Sequence, residues 1–332
     1  MMTILEKKSF TKLGALLDFL EFSIENRALC WDRPHFPLLV PMRLALKMEK
    51  NNPYCPIFLQ FVPLIKEQEN HKGFLNEPVE DSLFRLAPKY LQKYEGRSLL
   101  LATKACAMHC RYCFRQNFSY ETESEGFFQE LELIRNNREL HEVILSGGDP
   151  LSLKNTSLIP LLNELNKIPH LKYIRFHTRT LIADPNRLDE TLLEALSGLE
   201  KKVVFVVHVN HPKELGEDLR ICFGHLQKIG VQLLSQSVLL KGINDDLWTL
   251  QSLFFALFDY GVLPYYLHQL DRVQGAFHFE VTPEKGLELI ERLRGRMPGY
   301  LVPKYVQEIP HRRSKTPVER SSSSSSTSAP ES

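Results

Sequence analysis

Apolar and polar positions follow two regimes along the 332-residue chain. Up to residue 94 the pattern is irregular, because Pro34, Pro37, Pro41, Pro53, Pro56 and Pro63 break any long periodicity. The opening stretch, 13–24, carries Asp18 and Glu21 inside an apolar run, which suits an amphipathic helix better than a signal peptide. This half predicts a cap of short helices. From Ser98 onward, apolar runs of strand length (98–103, 142–146, 173–178, 203–209, 232–239 and 264–270) alternate with stretches of helical period (127–137, 158–166, 189–196, 213–228 and 247–258). Runs such as Val203-Val-Phe-Val-Val imply strands covered on both faces, as in a parallel sheet clothed in helices. Right-handed crossovers would roll six such units into a partial, TIM-like (β/α)6 barrel whose working loops follow the strand C-termini. Two doubly wound halves would need a G-x-G-x-x-G turn opening a helix, and the chain has none.

The predicted organisation is a cap (1–94), a barrel (95–271), a C-terminal segment (272–318) and a tail (319–332). The C-terminal segment should hold a helix over 283–294 and an edge strand over 300–306. The tail contains Ser321 to Ser326, too polar to bury a core, and reads as disordered.

Charge adds an exclusion. With 41 basic and 40 acidic residues, no net field favours nucleic acid or an anionic membrane, so small molecules are the expected partners. No apolar run reaches the length of a membrane span.

Chemistry concentrates in Cys106-Ala-Met-His-Cys110-Arg-Tyr-Cys113, directly after the first strand of the barrel. Three thiolates at this spacing can hold three irons of a cube and leave the fourth without a protein ligand. A structural zinc would need four well-spread ligands, commonly from two separated pairs, and no second Cys pair at such spacing follows, although a zinc-stabilised binding scaffold is the non-enzymatic reading of the same loop. The other cysteines, Cys30, Cys55 and Cys222, are scattered among apolar residues and read as inert thiols of a cytoplasmic protein.

Cys-x3-Cys-x-aromatic-Cys, with Tyr112 as the aromatic, resembles the radical S-adenosylmethionine (SAM) enzymes. The resemblance implies a 4Fe-4S cluster on Cys106, Cys110 and Cys113, whose open iron chelates SAM. Ser146, Gly147, Gly148 and Asp149 look like the glycine motif against which SAM lies, and Gln236 and His208 fall on positions similar to SAM-contacting residues.

The likeness narrows through 106–118, 145–150, Asn210-His-Pro212, 235–240, Pro264-Tyr-Tyr266 and Ser314-Lys-Thr-Pro317, all similar to lysine 2,3-aminomutases. Within that family Lys315 matches the lysine that forms a Schiff base with pyridoxal 5'-phosphate (PLP), and Arg97 and Lys93 match positions near its phosphate. Arg115 matches the arginine that pairs with the substrate carboxylate, and Asp271 one of two acids that grip the distal ammonium of lysine. The second family acid is aspartate, whereas this chain has Glu308. The implied activity is conversion of free L-lysine to β-lysine, with a radical SAM enzyme acting on another amino acid or a protein-bound lysine as the alternative. No cysteine follows Cys222, so the zinc-binding extension of the clostridial type is not expected. The chain resembles instead the short bacterial branch that makes (R)-β-lysine for elongation factor P. That likeness implies a reductase, flavodoxin or ferredoxin as electron donor, a ligase as recipient of the product, and a possible homo-oligomer.

Overall fold

The computed structural model describes residues 9–120 and 126–320; the stretch 321–332, which holds the serine tract, lies outside the described residues. The described residues form twelve strands: β1 (Ser9–Phe10), β2 (Val40–Pro41), β3 (Arg85–Ala87), β4 (Tyr90–Tyr94), β5 (Arg97–Thr103), β6 (Glu142–Gly147), β7 (Tyr173–Thr178), β8 (Lys202–His208), β9 (Gln232–Val238), β10 (Leu263–His268), β11 (Lys304–Gln307) and β12 (Thr316–Pro317). β1 and β2 pair with each other, and the other ten form one sheet in sequence order. Every neighbouring pair from β5 to β11 is parallel, while β3, β4 and β12 pair antiparallel at the two edges. Between the edges no pairing closes the sheet among the described residues, so the architecture is the partial α/β barrel that the alternation predicted.

Helices cover the outer face. Val143, Leu145, Ile174, Phe176, Val203 and Phe205 point outward from the strands and join Leu161, Leu192, Phe223 and Phe254 of the helices in one buried apolar cluster. Phe176 and Phe205 stack at 4.5 Å across β7 and β8. Each such side chain contributes roughly 1.5–3 kcal/mol by leaving water. Side-chain oxygens start several helices: Asp189 accepts from Leu192 N at 2.8 Å, and Asp246 from Trp248 N and Thr249 N.

The inward face is different. Alternate positions on the strands place Arg97, Glu142, Arg175, His177, His208, Gln236, Tyr266 and His268 toward the barrel interior. Arg175 pairs with Glu142 inside it. The interior is therefore a polar hollow, and the continuous apolar runs of the sequence report chiefly the helix-covered side.

Three expectations change. Residues 85–94, read as part of an irregular cap, form the β3–β4 hairpin that continues the sheet. The predicted edge strand over 300–306 begins only at Lys304, because Pro298 and Pro303 bracket a helical turn, Gly299–Leu301. That strand, β11, is not an edge, since β12 covers its far side. The helix expected from 213 starts at Glu217, after a separate turn at Pro212–Glu214.

Candidate active site

β5 delivers the chain to the thiol loop, and the end of β6 forms its floor. Gly148 N donates to Thr103 O at 2.6 Å and Asp149 N to Ala105 O at 2.9 Å. A Cβ on Gly147 would lie 2.5 Å from Thr103 O, and one on Gly148 2.3 Å from Ala105 O. The two glycines thus let the root of the cysteine loop lie on the sheet end, and Gly147 also sits at φ +113°. From above, the cap clamps the loop: His109 N donates to Leu39 O at 3.0 Å and Arg111 N to Gln60 O at 2.9 Å. The buried Arg111 guanidinium pairs with Glu67 and donates to Phe36 O at 2.7 Å.

Cys106, Cys110 and Cys113 are half-buried, apart from the buried Cys30, Cys55 and Cys222. Burial, reinforced by Cys113, pushes the Cys106 thiol up; burial and Cys110 push Cys113 up to about 11. Sulfurs that raise one another in this way need a cation to become thiolates together. His109 Nδ1 is engaged by Pro37 O at 2.8 Å, on the cap side. Among the described residues no three His, Cys, Asp or Glu side chains converge as a single ion would require. A cube asks for something else, one thiolate for each of three irons, and the donor set of three sulfurs on one loop fits it.

A chain of alternating charges leads from this loop to Lys315. Arg115, two residues past Cys113, donates through Nε to Asp81 at 2.8 Å and through Nη1 to Ser146 Oγ at 3.2 Å. Asp81 also binds Lys93 at 2.7 Å, and Lys93 lies 3.8 Å from Glu308. Glu308 accepts from Tyr94 Oη at 2.7 Å and from Lys315 Nζ at 2.9 Å. The last contact follows from register: β12 folds back on β11 with Gln307 opposite Thr316, so the next residues outward, Glu308 and Lys315, are cross-strand neighbours. Burial raises the Glu308 carboxyl, but Lys315, Tyr94 and Lys93 outweigh it and hold it below its ordinary value. Asp271, beyond the end of β10, feels Lys315 less than it feels burial and is pushed up to about 7.

Deeper in the hollow stand His177, His208 and His268, each held well below the usual histidine range, first by burial and then by neighbouring cations. His177 and His268 both feel Lys315. Gln236 lies in register between His208 and Tyr266. Arg97 stacks on Tyr94 at 4.5 Å, and the hydroxyls of Tyr265 and Tyr266 bond at 2.8 Å. His177 Nε2 is buried with no hydrogen-bond partner, an orphaned atom that a polar ligand in the hollow would satisfy. Cations at the floor, an amine on one wall and an orphaned imidazole nitrogen fit an anionic, aldehyde-bearing cofactor such as PLP.

Asp149 has other work. Its carboxylate accepts from Leu151 N, Thr178 Oγ1, Arg179 N and Thr180 N, tying the ends of β6 and β7 together. Four donors occupy the group that resemblance assigned to a cofactor. Sequence reasoning also passed over Asp81, Tyr94, His177, His268 and Arg179. His177 and His268 stand on strands other than that of His208 and reach the same face only through strand register. Nothing local marks Asp81.

An open α/β barrel with a three-thiol loop after its first parallel strand defines an iron–sulfur barrel enzyme, and a family model for a 4Fe-4S single cluster domain matches residues 94–211. L-lysine 2,3-aminomutase of Escherichia coli (strain K12) is 42% identical over 288 residues, covering 86% of this chain and 84% of that one. The enzyme of the same name from Buchnera aphidicola is 40% identical over 283 residues (84% and 83%), and that of Clostridium subterminale 34% over 284 residues (84% and 68%). The chain belongs to the lysine 2,3-aminomutase family of isomerases.

Proposed function

We propose that this protein is a radical SAM, PLP-dependent 2,3-aminomutase that converts L-lysine to (R)-β-lysine for the modification of elongation factor P. One observation carries the reading: the thiol loop and Lys315 are joined, through Arg115, Asp81, Lys93 and Glu308, along the wall of one polar hollow. Bound there, the cluster with SAM would supply a hydrogen-abstracting radical, and PLP would supply an imine able to accept the neighbouring radical. Cys106, Cys110 and Cys113 hold the cluster; Ser146, Gly147, Gln236 and His208 line the SAM side; Lys315 holds PLP, with Arg97 and Lys93 toward its phosphate.

The remaining residues orient the amino acid. Arg115 offers a guanidinium fork to the carboxylate once Asp81 yields it. Asp271 and Glu308 present carboxylates to the distal ammonium, and the longer Glu308 is free for that task when Lys315 is engaged elsewhere. The cap, clamped over the loop, would shield a cluster held there from water. Such an enzyme draws electrons from a flavodoxin- or ferredoxin-type donor in the cytoplasm and passes its product to a ligase. None of the described helices is long and apolar enough to cross a membrane.

Anaerobic incubation with lysine, SAM, PLP and dithionite, followed by chiral analysis, tests the reading. The expected product is (R)-β-lysine, with a PLP imine absorption that vanishes in Lys315→Ala. Unchanged lysine beside an intact cluster would overturn the substrate, and colourless protein holding only zinc would overturn the reaction.

A further inference from the structure

Arg179 follows β7 and is 7% exposed. Its backbone N is pinned to Asp149 Oδ2 at 2.6 Å, so the side chain starts from a fixed point. Nη1 donates to Cys110 Sγ at 2.8 Å and also to the Tyr112 hydroxyl. Nη2 donates to Gln60 Oε1 at 2.6 Å and to Glu214 Oε2 at 2.8 Å, while the guanidinium carbon lies 4.8 Å over the Phe61 ring. Glu214 is itself fully buried and held by Asn210 N and His211 N, each at 2.9 Å. A planar fork held through both terminal nitrogens cannot swing away as a lysine could. Its positive edge faces the sulfur, and its counter-charge lies on the other nitrogen.

We propose that Arg179 is a positioning residue for the iron–sulfur cluster, donating to the sulfur of Cys110 and thereby setting the electron affinity of the cluster, with Glu214 as the opposing charge. The inference rests on the cluster-bearing function proposed above and goes beyond it. Hydrogen bonds to ligand sulfurs and nearby charges are among the protein's means of moving a cluster potential. Reduction adds one negative charge, so a fixed cation against the sulfur favours the reduced form, and a carboxylate behind that cation disfavours it. The Arg115 side chain bears on Cys106 and Cys113 through its charge, and its backbone N–H also bonds Cys113, whereas Cys110 alone of the three receives an N–H from a charged guanidinium among the described residues.

The test compares Arg179→Gln, Arg179→Lys and Glu214→Gln with the parent, each reconstituted anaerobically without SAM or lysine. Iron and sulfide are counted, and the midpoint potential is read by EPR-monitored redox titration, so no turnover is involved. Arg179→Gln should lower the potential by about tenfold in electron affinity, about 59 mV for one electron. Arg179→Lys should lower it less, and Glu214→Gln should raise it. Fully loaded variants with the parent's potential, or Gln variants that both shift the same way, would overturn the proposal and leave the mutase reading standing. If Arg179→Gln holds no cluster, Glu214→Gln decides alone: a raised potential supports the proposal, an unmoved or lowered one overturns it. A parent that binds no iron removes the functional reading and this inference together.

Discussion

Asp81→Asn isolates the carboxylate that no sequence signal marked. Asp81 is 3% exposed and holds two cations, Arg115 at 2.8 Å and Lys93 at 2.7 Å. An amide of the same shape leaves Arg115 without its carboxylate and Lys93 with only Glu308, at 3.8 Å, and breaking a buried pair by removing one partner costs about 3–5 kcal/mol. Lys93 keeps Val79 O at 2.6 Å and Arg115 keeps Ser146 Oγ at 3.2 Å, which places the loss near the lower bound. At about 2 °C per kcal/mol for a large chain, the midpoint should fall by about 6 °C in calorimetry of the cofactor-free protein. The sign with pH follows from the carboxyl itself. Burial pushes Asp81 up, but Arg115 and then Lys93 outweigh it, so its folded pKa lies below the ordinary value. The stability it confers is therefore complete above about pH 4 and is lost as acid carries the solution down through the folded pKa. The gap between parent and variant should stay constant across neutral pH and close in acid. Lysine, whose carboxylate can replace the missing charge on Arg115, should raise the variant's midpoint more than the parent's. A midpoint within 1 °C of the parent's, or a gap that widens in acid, would refute the reasoning.

Asp271, pushed up to about 7, is charged only above that pH. If it grips an ammonium, the KM for lysine should rise about tenfold per unit as pH falls below 7, and Asp271→Asn should remove that limb; a parent profile flat through this range contradicts the assignment. Gly148→Ala would set a Cβ 2.3 Å from Ala105 O and 2.6 Å from Lys104 O, forcing the root of the thiol loop to move. Iron content should drop by at least half, with about 1–3 kcal/mol of stability lost. Gly224→Ala, where nothing lies within 4 Å, should keep its iron and gain about 0.5–1 kcal/mol as a helical site. Two insertions probe the β11–β12 register: one glycine between Arg313 and Ser314 lies in the connection and should preserve the PLP imine absorption, while one between Lys315 and Thr316 moves the amine off the position opposite Glu308 and should abolish it. Equal absorption in both would mean that register does not place the lysine.

The alternation after Ser98 showed the barrel because an outer sheet face under helices leaves long apolar runs, and these read the same whether the inner face is apolar or not. That ambiguity hid the hollow: His177 and Arg175 look like polar interruptions in an apolar strand until the register places them opposite Val206 and Val204, on the inner face. The thiols and Lys315 were legible as motifs, since their chemistry depends on local spacing. The ion-pair chain between them was not, because Asp81 lies 34 residues before Arg115 in a turn with no periodicity, and only the β3–β4 hairpin brings it over the barrel mouth. The same hairpin carries Lys93 and Tyr94, so one element that the proline-broken pattern concealed supplies two partners to the carboxylates of the site, and the turn leading into it supplies Asp81 to the arginine. Motifs, then, locate the groups that react, while the groups that hold them charged and aimed come from wherever the sheet edge happens to pass. In this molecule that edge is built by residues 85–94, and substitutions there should change substrate affinity without touching a motif residue.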